Sequence, residues 1–337
     1  MELIPRLSER LGQPIASVRP IGGGRNSRVY QINCQDSGRY IAKVYPASGA
    51  GQRDRLDAEF SSLSFLWDNG LRCVPRPVTD QPQAGWAVYE FIEGTNISSA
   101  DVTARDIGQA VEFLSQLKDL RGNEGSADIG PAAEACFSVQ AIFDSIDLRL
   151  DRLISLEGKS PQLLALRRFL ETDFQPKLAE VRRQTLTELT GSMASEIGTE
   201  SRTLSPSDFG FHNALRRPNR ELVFLDFEYF GWDDPAKMIC DFLLHPAMEL
   251  PRSLRSEFLC SILQIFAEFR GLEERVKLVY PVFALKWTLI LLNEFVPERL
   301  ERRSFAVDGR VDTVQLQTQQ LNKARMMLRK AVFDHEL

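Results

Sequence analysis

The chain has no cysteine pair at metal-ligand or redox spacing. Its five cysteines, Cys34, Cys73, Cys136, Cys240 and Cys260, are scattered, odd in number and irregularly spaced. That argues against a zinc site and a disulfide framework, and suits reduced, mostly buried thiols. It also lacks an excess of positive charge: the net charge is −5 over 337 residues, so a general nucleic-acid binder is not expected. No uninterrupted apolar run is long enough to span a bilayer. The most apolar stretch, "VYPVFALKWTLILLNEF", is broken by Pro281, Lys286 and Glu294 and reads as a buried helix with no membrane partner. The N-terminal "MELIPRLSERLG" carries charges inside its apolar residues, unlike a signal peptide. There is no internal repeat and no low-complexity tract. These absences lead to the expectation of a cytoplasmic globular protein, and 43% hydrophobic with 26% charged residues fits that class.

The pattern changes character near Thr95. Before it, "VRPIGGGRNSRVYQIN" reads as strand, Gly-rich turn and strand, "RYIAKVYP" as a third strand, and "GWAVYEFIEG" as a further one. Between them "QRDRLDAEFSSLSFLWDNG" reads as a helix, with Leu56, Phe60, Leu63 and Leu66 or Trp67 on one face and Asn69-Gly70 as its stop. After Thr95 helical spacing dominates: Ile107, Ala110, Val111, Leu114 and Leu117, then 137–157, 160–189 and most of 239–336. One short hairpin-like stretch is embedded there, Leu204 to Pro235. The expected organisation is a β-rich N-terminal lobe with one main helix over residues 1–94, and a larger, mostly helical lobe over 95–337. A ligand would favour the cleft between them.

Six features carry candidate chemistry. Gly22, Gly23 and Gly24 sit between two strands, where glycines let backbone N–H groups approach a phosphate; a plain hairpin turn is the alternative. Lys43 lies mid-strand, and alternation puts Ile41, Lys43 and Tyr45 on one face. Glu59 lies in the following helix, where it either pairs with Lys43 or faces solvent. "VYEFIEG" is a strand end of hinge type. Asp208 and Asn213 have D-x-x-x-x-N spacing, which is also ordinary turn chemistry when met alone. Asp226 ends the apolar run "LVFL", where a partly buried carboxylate calls for a cation or several donors. Phosphoryl transfer needs this combination: a carboxylate at the acceptor hydroxyl, and hard oxygen ligands for magnesium.

In this order the motifs resemble the aminoglycoside phosphotransferase and choline kinase group of protein-kinase-like enzymes, most strongly over residues 18–95 and 203–246. The resemblance implies an α+β, bilobal protein-kinase-like fold. It implies an ATP- and Mg2+-dependent kinase that transfers the γ-phosphate to a hydroxyl of a small molecule such as a sugar, amino sugar or amino alcohol. "GGGRNSRVYQI" is similar to the nucleotide loop, with Ser27 where Asn is common. Lys43 takes the place of the ATP-phosphate lysine and Glu59 that of its helix partner. Backbone groups from Glu90 to Ile92 would contact adenine. Asp208 would position or deprotonate the acceptor hydroxyl, and Asn213 with Asp226 would bind Mg2+. The chain departs from the pattern at Pro206-Ser207-Asp208, where the family usually has His-Gly-Asp, and at Met238, where an Asp is usual and Asp241 follows one turn later. Glu228 is placed as in the choline-kinase-like branch. Trp287 reads as core, and His245-Pro246 as a helix end. The departure before Asp208 leaves a second reading open, a catalytically impaired pseudokinase that acts as a nucleotide- or protein-binding module.

Overall fold

In the computed structural model, residues 3–22, 27–46, 54–300 and 312–332 are described. The N-terminal part is built on a five-stranded sheet of order β1-β2-β3-β5-β4. The strands are β1 (Ile15–Ile21), β2 (Arg28–Cys34), β3 (Arg39–Val44), β4 (Pro77–Gln81) and β5 (Trp86–Glu90). Every pairing is antiparallel. Alternation gives the sheet two apolar faces. Ile32, Ala42, Trp86 and Val88 face helix α1 (Leu3–Leu11), whose Leu7 is fully buried among them. Tyr45, Ala87 and Tyr89 face helix α2 (Arg55–Asp68), through Leu56, Leu63 and Leu66. Neither α1 nor the edge strand β4 was expected from the sequence. Both are short: nine residues and five.

Helix α2 starts where Asp54 caps it, its side chain accepting from the Asp57 N–H at 3.2 Å. The remaining helices are α3 (Ala104–Asp119), α4 (Val139–Ile154), α5 (Pro161–Phe169), α6 (Gln175–Glu188), α7 (Pro235–Leu244), α8 (Arg252–Ile265), α9 (Leu272–Leu291) and α10 (Thr313–Leu328). A π-helical turn, Leu170–Phe174, joins α5 to α6. Helix α9 is the centre of this part, packed by α4, α6, α7 and α10. The segment Leu272–Phe295 is long and apolar enough to cross a membrane by length and composition, yet 61% of that window is buried inside the fold, which is how a core helix reads.

Short strands hold the segment from 203 to 235. β6 (Thr95–Asn96), β8 (Ala214–Arg216) and β9 (Leu222–Phe224) form one small antiparallel sheet, and β7 (Thr203–Ser205) pairs with β10 (Gly231–Asp233). Gly231 is required there. A Cβ on it would come within 2.5 Å of the Gly130 carbonyl oxygen, and this close approach lets Trp232 exchange hydrogen bonds with Gly130 and Ala132. The two pairings bring the loop after β7 and the turn after β9 to the same end of the molecule, beneath the N-terminal sheet.

Candidate active site

Strand β3 lies between β2 and β5, with Lys43 opposite Val29 on one side and Ala87 on the other. Its side chain points inward, 14% exposed. Nζ donates to Glu59 Oε1 at 2.6 Å and to Asp226 Oδ1 at 3.1 Å. Glu59 is 2% exposed, so of the two readings left open it is the partner and not the solvated face. Its other oxygen accepts from the Tyr45 hydroxyl at 2.6 Å, which in turn lies 2.9 Å from the Tyr89 hydroxyl. Burial alone would lower the Lys43 ammonium, but Asp226 and Glu59 outweigh it and hold it well above the ordinary lysine range. Burial, reinforced by Glu59, keeps both tyrosines protonated.

Asp208 and Asn213 share the loop after β7. Asn213 Nδ2 donates to the Asp208 carbonyl at 2.9 Å and reaches its Oδ2 at 3.4 Å, and Leu225 N–H bonds the Asn213 carbonyl at 2.8 Å. The loop thus sits directly beside the segment that ends in Asp226. Phe209 anchors it by packing against Phe113, Phe224 and Phe242. Asp226 turns the chain with φ 67°, a left-handed conformation that costs a non-glycine residue about 1–3 kcal/mol and collects at functional sites. Its carboxylate is 36% exposed.

The departure from His-Gly-Asp has a structural solution. Ser207 has φ 66°, a conformation suited to the glycine of that motif, and the Asp208 N–H closes a γ-turn onto the Pro206 carbonyl at 2.9 Å. Ser207 Oγ donates to the Ala133 carbonyl at 3.0 Å and accepts from Lys237 Nζ at 3.3 Å. Lys237 is itself held by Asp233 at 2.7 Å and Asp241 at 2.9 Å. Asp241 also accepts from Trp287 Nε1 at 2.8 Å.

Two histidines meet the Asp208 carboxylate. His212 Nε2 and His245 Nε2 each lie 3.2 Å from Oδ1, and their rings stack with centroids 3.8 Å apart and planes within 5°. His245 does end α7 as expected, but it also reaches Asp208, which the sequence reading missed. Helix α9 sets Trp287 edge-to-face with the His245 ring. Trp287 is partly buried: it packs against the core, as expected, and also lines a cavity. Burial pushes the Asp208 carboxyl up, but the hydrogen bonds from His212 and His245 outweigh it and leave it well below the usual carboxylate range. Asp208, His212 and His245 are close enough in number and distance to suggest a metal site. The distances are those of two imidazoles hydrogen-bonded to one carboxylate.

Asp226 and Asn213 are hard oxygen donors with a single carboxylate between them, a pair that suits Mg2+ alongside phosphate oxygens and water. Glu228 shows that positive charge is short here. It is 1% exposed and 3.5 Å from Arg55, and burial with the nearby Asp226 charge pushes its carboxyl up to about 7. The residues present therefore fit a divalent cation.

The cavity that opens beside Asp208 measures about 1130 Å³, with Ser207, Asp241, Lys286, Trp287 and Glu294 among its walls. Glu134 bridges Arg149 at 2.5 Å and Lys286 at 3.3 Å on the same wall.

Of the other sequence candidates, Gly22 is exposed and Ser27 is 5% exposed, while Gly23 and Gly24 lie outside the described residues. Glu90 ends β5, its N–H bonded to the Arg76 carbonyl at 2.9 Å, and Ile92 is buried just beyond.

A family model described as "Phosphotransferase enzyme family" matches residues 17–274. A comparison with curated protein sequences found no match. Among solved structures, the chain is similar to a choline kinase from Cryptosporidium parvum (12% identity, TM-score 0.61, covering 93% of this chain and 89% of that one). It is similar to a spectinomycin phosphotransferase in complex with ADP and spectinomycin (13%, 0.63, 95% and 97%). A choline kinase from Streptococcus pneumoniae is also similar (16%, 0.61, 98% and 98%). At such identity these likenesses establish the fold, which is protein-kinase-like.

Proposed function

The chain belongs to the phosphotransferase enzyme family, and from that premise we propose the residues and reaction of an ATP-dependent kinase that phosphorylates a hydroxyl of a sugar, amino sugar or amino alcohol. In this reading residues 1–94 are the nucleotide lobe and 95–337 carry the catalytic loop and acceptor pocket. It acts in the cytoplasm on a small molecule, with no nucleic-acid or membrane partner. The observation that carries it is Lys43 held between Glu59 and Asp226, at the same end of the fold as Asp208 and Asn213.

Lys43, kept charged and aimed by Glu59, binds phosphate oxygens of ATP. Backbone groups from Glu90 to Ile92 receive adenine, and the turn with Gly22, Gly23, Gly24 and Ser27 covers the phosphates. Asn213 and Asp226 would hold Mg2+, which when bound neutralises charge on the phosphates. Asp208 orients the acceptor hydroxyl and takes its proton late. A carboxylate of depressed basicity suits that order, because the transferring phosphoryl group is largely detached before the nucleophile needs to lose its proton. Positioning and fixed charge supply most of the rate.

The test is ADP release across a panel of sugars, amino sugars, aminoglycosides and choline-like alcohols, with Asp208→Asn and Asp226→Asn as controls. Both variants are expected to lose transfer. Full Mg2+-dependent transfer by Asp226→Asn would remove the metal assignment. Binding of ATP with transfer to none of the acceptors would favour the binding-module reading.

A further inference from the structure

His245 is the residue near the site that neither the motif order nor the proposed reaction accounts for. It stands at the C-terminal end of α7, 6% exposed. Its Nδ1 accepts the Ala247 N–H at 3.2 Å. A nitrogen that accepts carries no proton, so the proton of the ring is on Nε2, and that N–H points at Asp208 Oδ1, 3.2 Å away. Two rings pack on it. One face stacks on His212, and Trp287 meets the ring edge-to-face, centroids 4.8 Å apart at 84°. The backbone that follows is tied to the same loop, since Met248 N–H bonds the His245 carbonyl at 3.0 Å and Met248 Sδ receives the Phe211 N–H at 3.1 Å.

His212 reaches the same oxygen but its own Nδ1 is buried with no hydrogen-bond partner, so nothing beyond Asp208 sets its tautomer. His245 differs: a backbone amide sets its tautomer, and rings on two sides set its orientation.

We propose that His245 is a positioning residue for the reaction, holding the Asp208 carboxylate from the end of α7. By occupying Oδ1 it leaves Oδ2, reached only by Asn213 at 3.4 Å among the described hydrogen bonds, to accept the acceptor hydroxyl. Trp287 lines the cavity and packs on His245, so the wall that would hold the acceptor also holds the group that aims the carboxylate. The inference rests on the kinase reading for its rate effect, and on hydrogen-bond geometry alone for its structural part.

Two variants separate the hydrogen bond from the packing. His245→Phe keeps a ring for the stack and removes the donor; His245→Gln restores an N–H donor without the ring. The expected result is a kcat lowered about 10- to 100-fold in His245→Phe, the scale of a misplaced catalytic group, with KM for ATP unchanged. His245→Gln should recover most of that loss. Wild-type kcat in His245→Phe would overturn the proposal. So would equal losses in both variants together with a lowered melting temperature, since that pattern belongs to packing. A second measurement needs no acceptor. The chain has three histidines, so nitrogen-15 imidazole spectra resolve them. His245 should be the neutral Nε2–H tautomer, and its signal should move in Asp208→Asn. A proton on Nδ1, or a signal indifferent to Asp208→Asn, sinks the proposal. If the wild-type protein transfers phosphate to no acceptor, the kinase reading fails and the spectra still decide this one.

Discussion

The Lys43 ammonium lies 3.1 Å from the Asp226 carboxylate, across 183 residues of sequence. The contact joins the N-terminal sheet to the turn after β9, and Glu59 completes it from α2 at 2.6 Å. Lys43 is the one cation that Glu59 bonds among the described ion pairs. Removing it should therefore strand a buried carboxylate.

Lys43→Met is expected to destabilise the protein by about 3–5 kcal/mol, the cost of breaking a buried pair from one side. Lys43→Met with Glu59→Gln should be more stable than Lys43→Met alone, because the stranded charge is gone. Urea unfolding of the three proteins measures this, and additive losses would contradict it.

Nucleotide should stabilise the wild-type protein more with Mg2+ than without. At a ligand concentration 100 times the dissociation constant the gain is about 2.7 kcal/mol. Asp226→Asn should keep its fold and lose the Mg2+-dependent part of that gain in a thermal-shift titration. An undiminished Mg2+ effect would place the cation elsewhere.

Ser207 combines a left-handed backbone with two side-chain hydrogen bonds. Ser207→Ala keeps the strain and loses the bonds, for an expected loss of about 1–2 kcal/mol. Ser207→Gly loses the same bonds but relieves about 1 kcal/mol of backbone strain, so it should lie closer to wild type. Thermal denaturation of the pair checks the order; a glycine variant less stable than the alanine one would show that strain is negligible there.

Burial pushes the Glu134 carboxyl up, but Lys286 and Arg149 outweigh it and hold the group at about 2, against an ordinary 4.5. A carboxyl lower in the folded state stabilises above its unfolded value, and that contribution is lost as pH falls from about 4.5 towards 2. Because Glu134 is 46% exposed, solvent screening reduces its share to about 1 kcal/mol. Glu134→Gln should be less stable than wild type by about that amount at pH 7, with the gap closing near pH 2. A gap independent of pH would assign the loss to packing.

Much of the site could be read from order along the chain. Lys43 stood out because a charged residue mid-strand between Ala42 and Val44 needs a reason. Asp226 stood out because it ended an apolar run, and the structure brings both to one point. His245 could not be read in this way. Its spacing from Asp208 follows no motif, and its signal, a histidine before proline at a helix end, is that of an ordinary stop. Only the docking of α7 against the catalytic loop turns its Nε2 towards Asp208. Likewise nothing in the sequence singled out Lys237, which tertiary packing buries between Asp233 and Asp241 and beside Ser207. Glu59 fell between these cases: the sequence allowed a partner or a solvated face, and the depth of α2 under the sheet chose the partner. What the sequence by itself determined is the larger elements, through apolar period and turn residues, and the order of the motifs on them. What only the tertiary structure decided is which side chains from separate elements share a hydrogen bond. Periodicity is local and records which face of an element is apolar; the angle and depth at which two such faces pack depend on every residue between them.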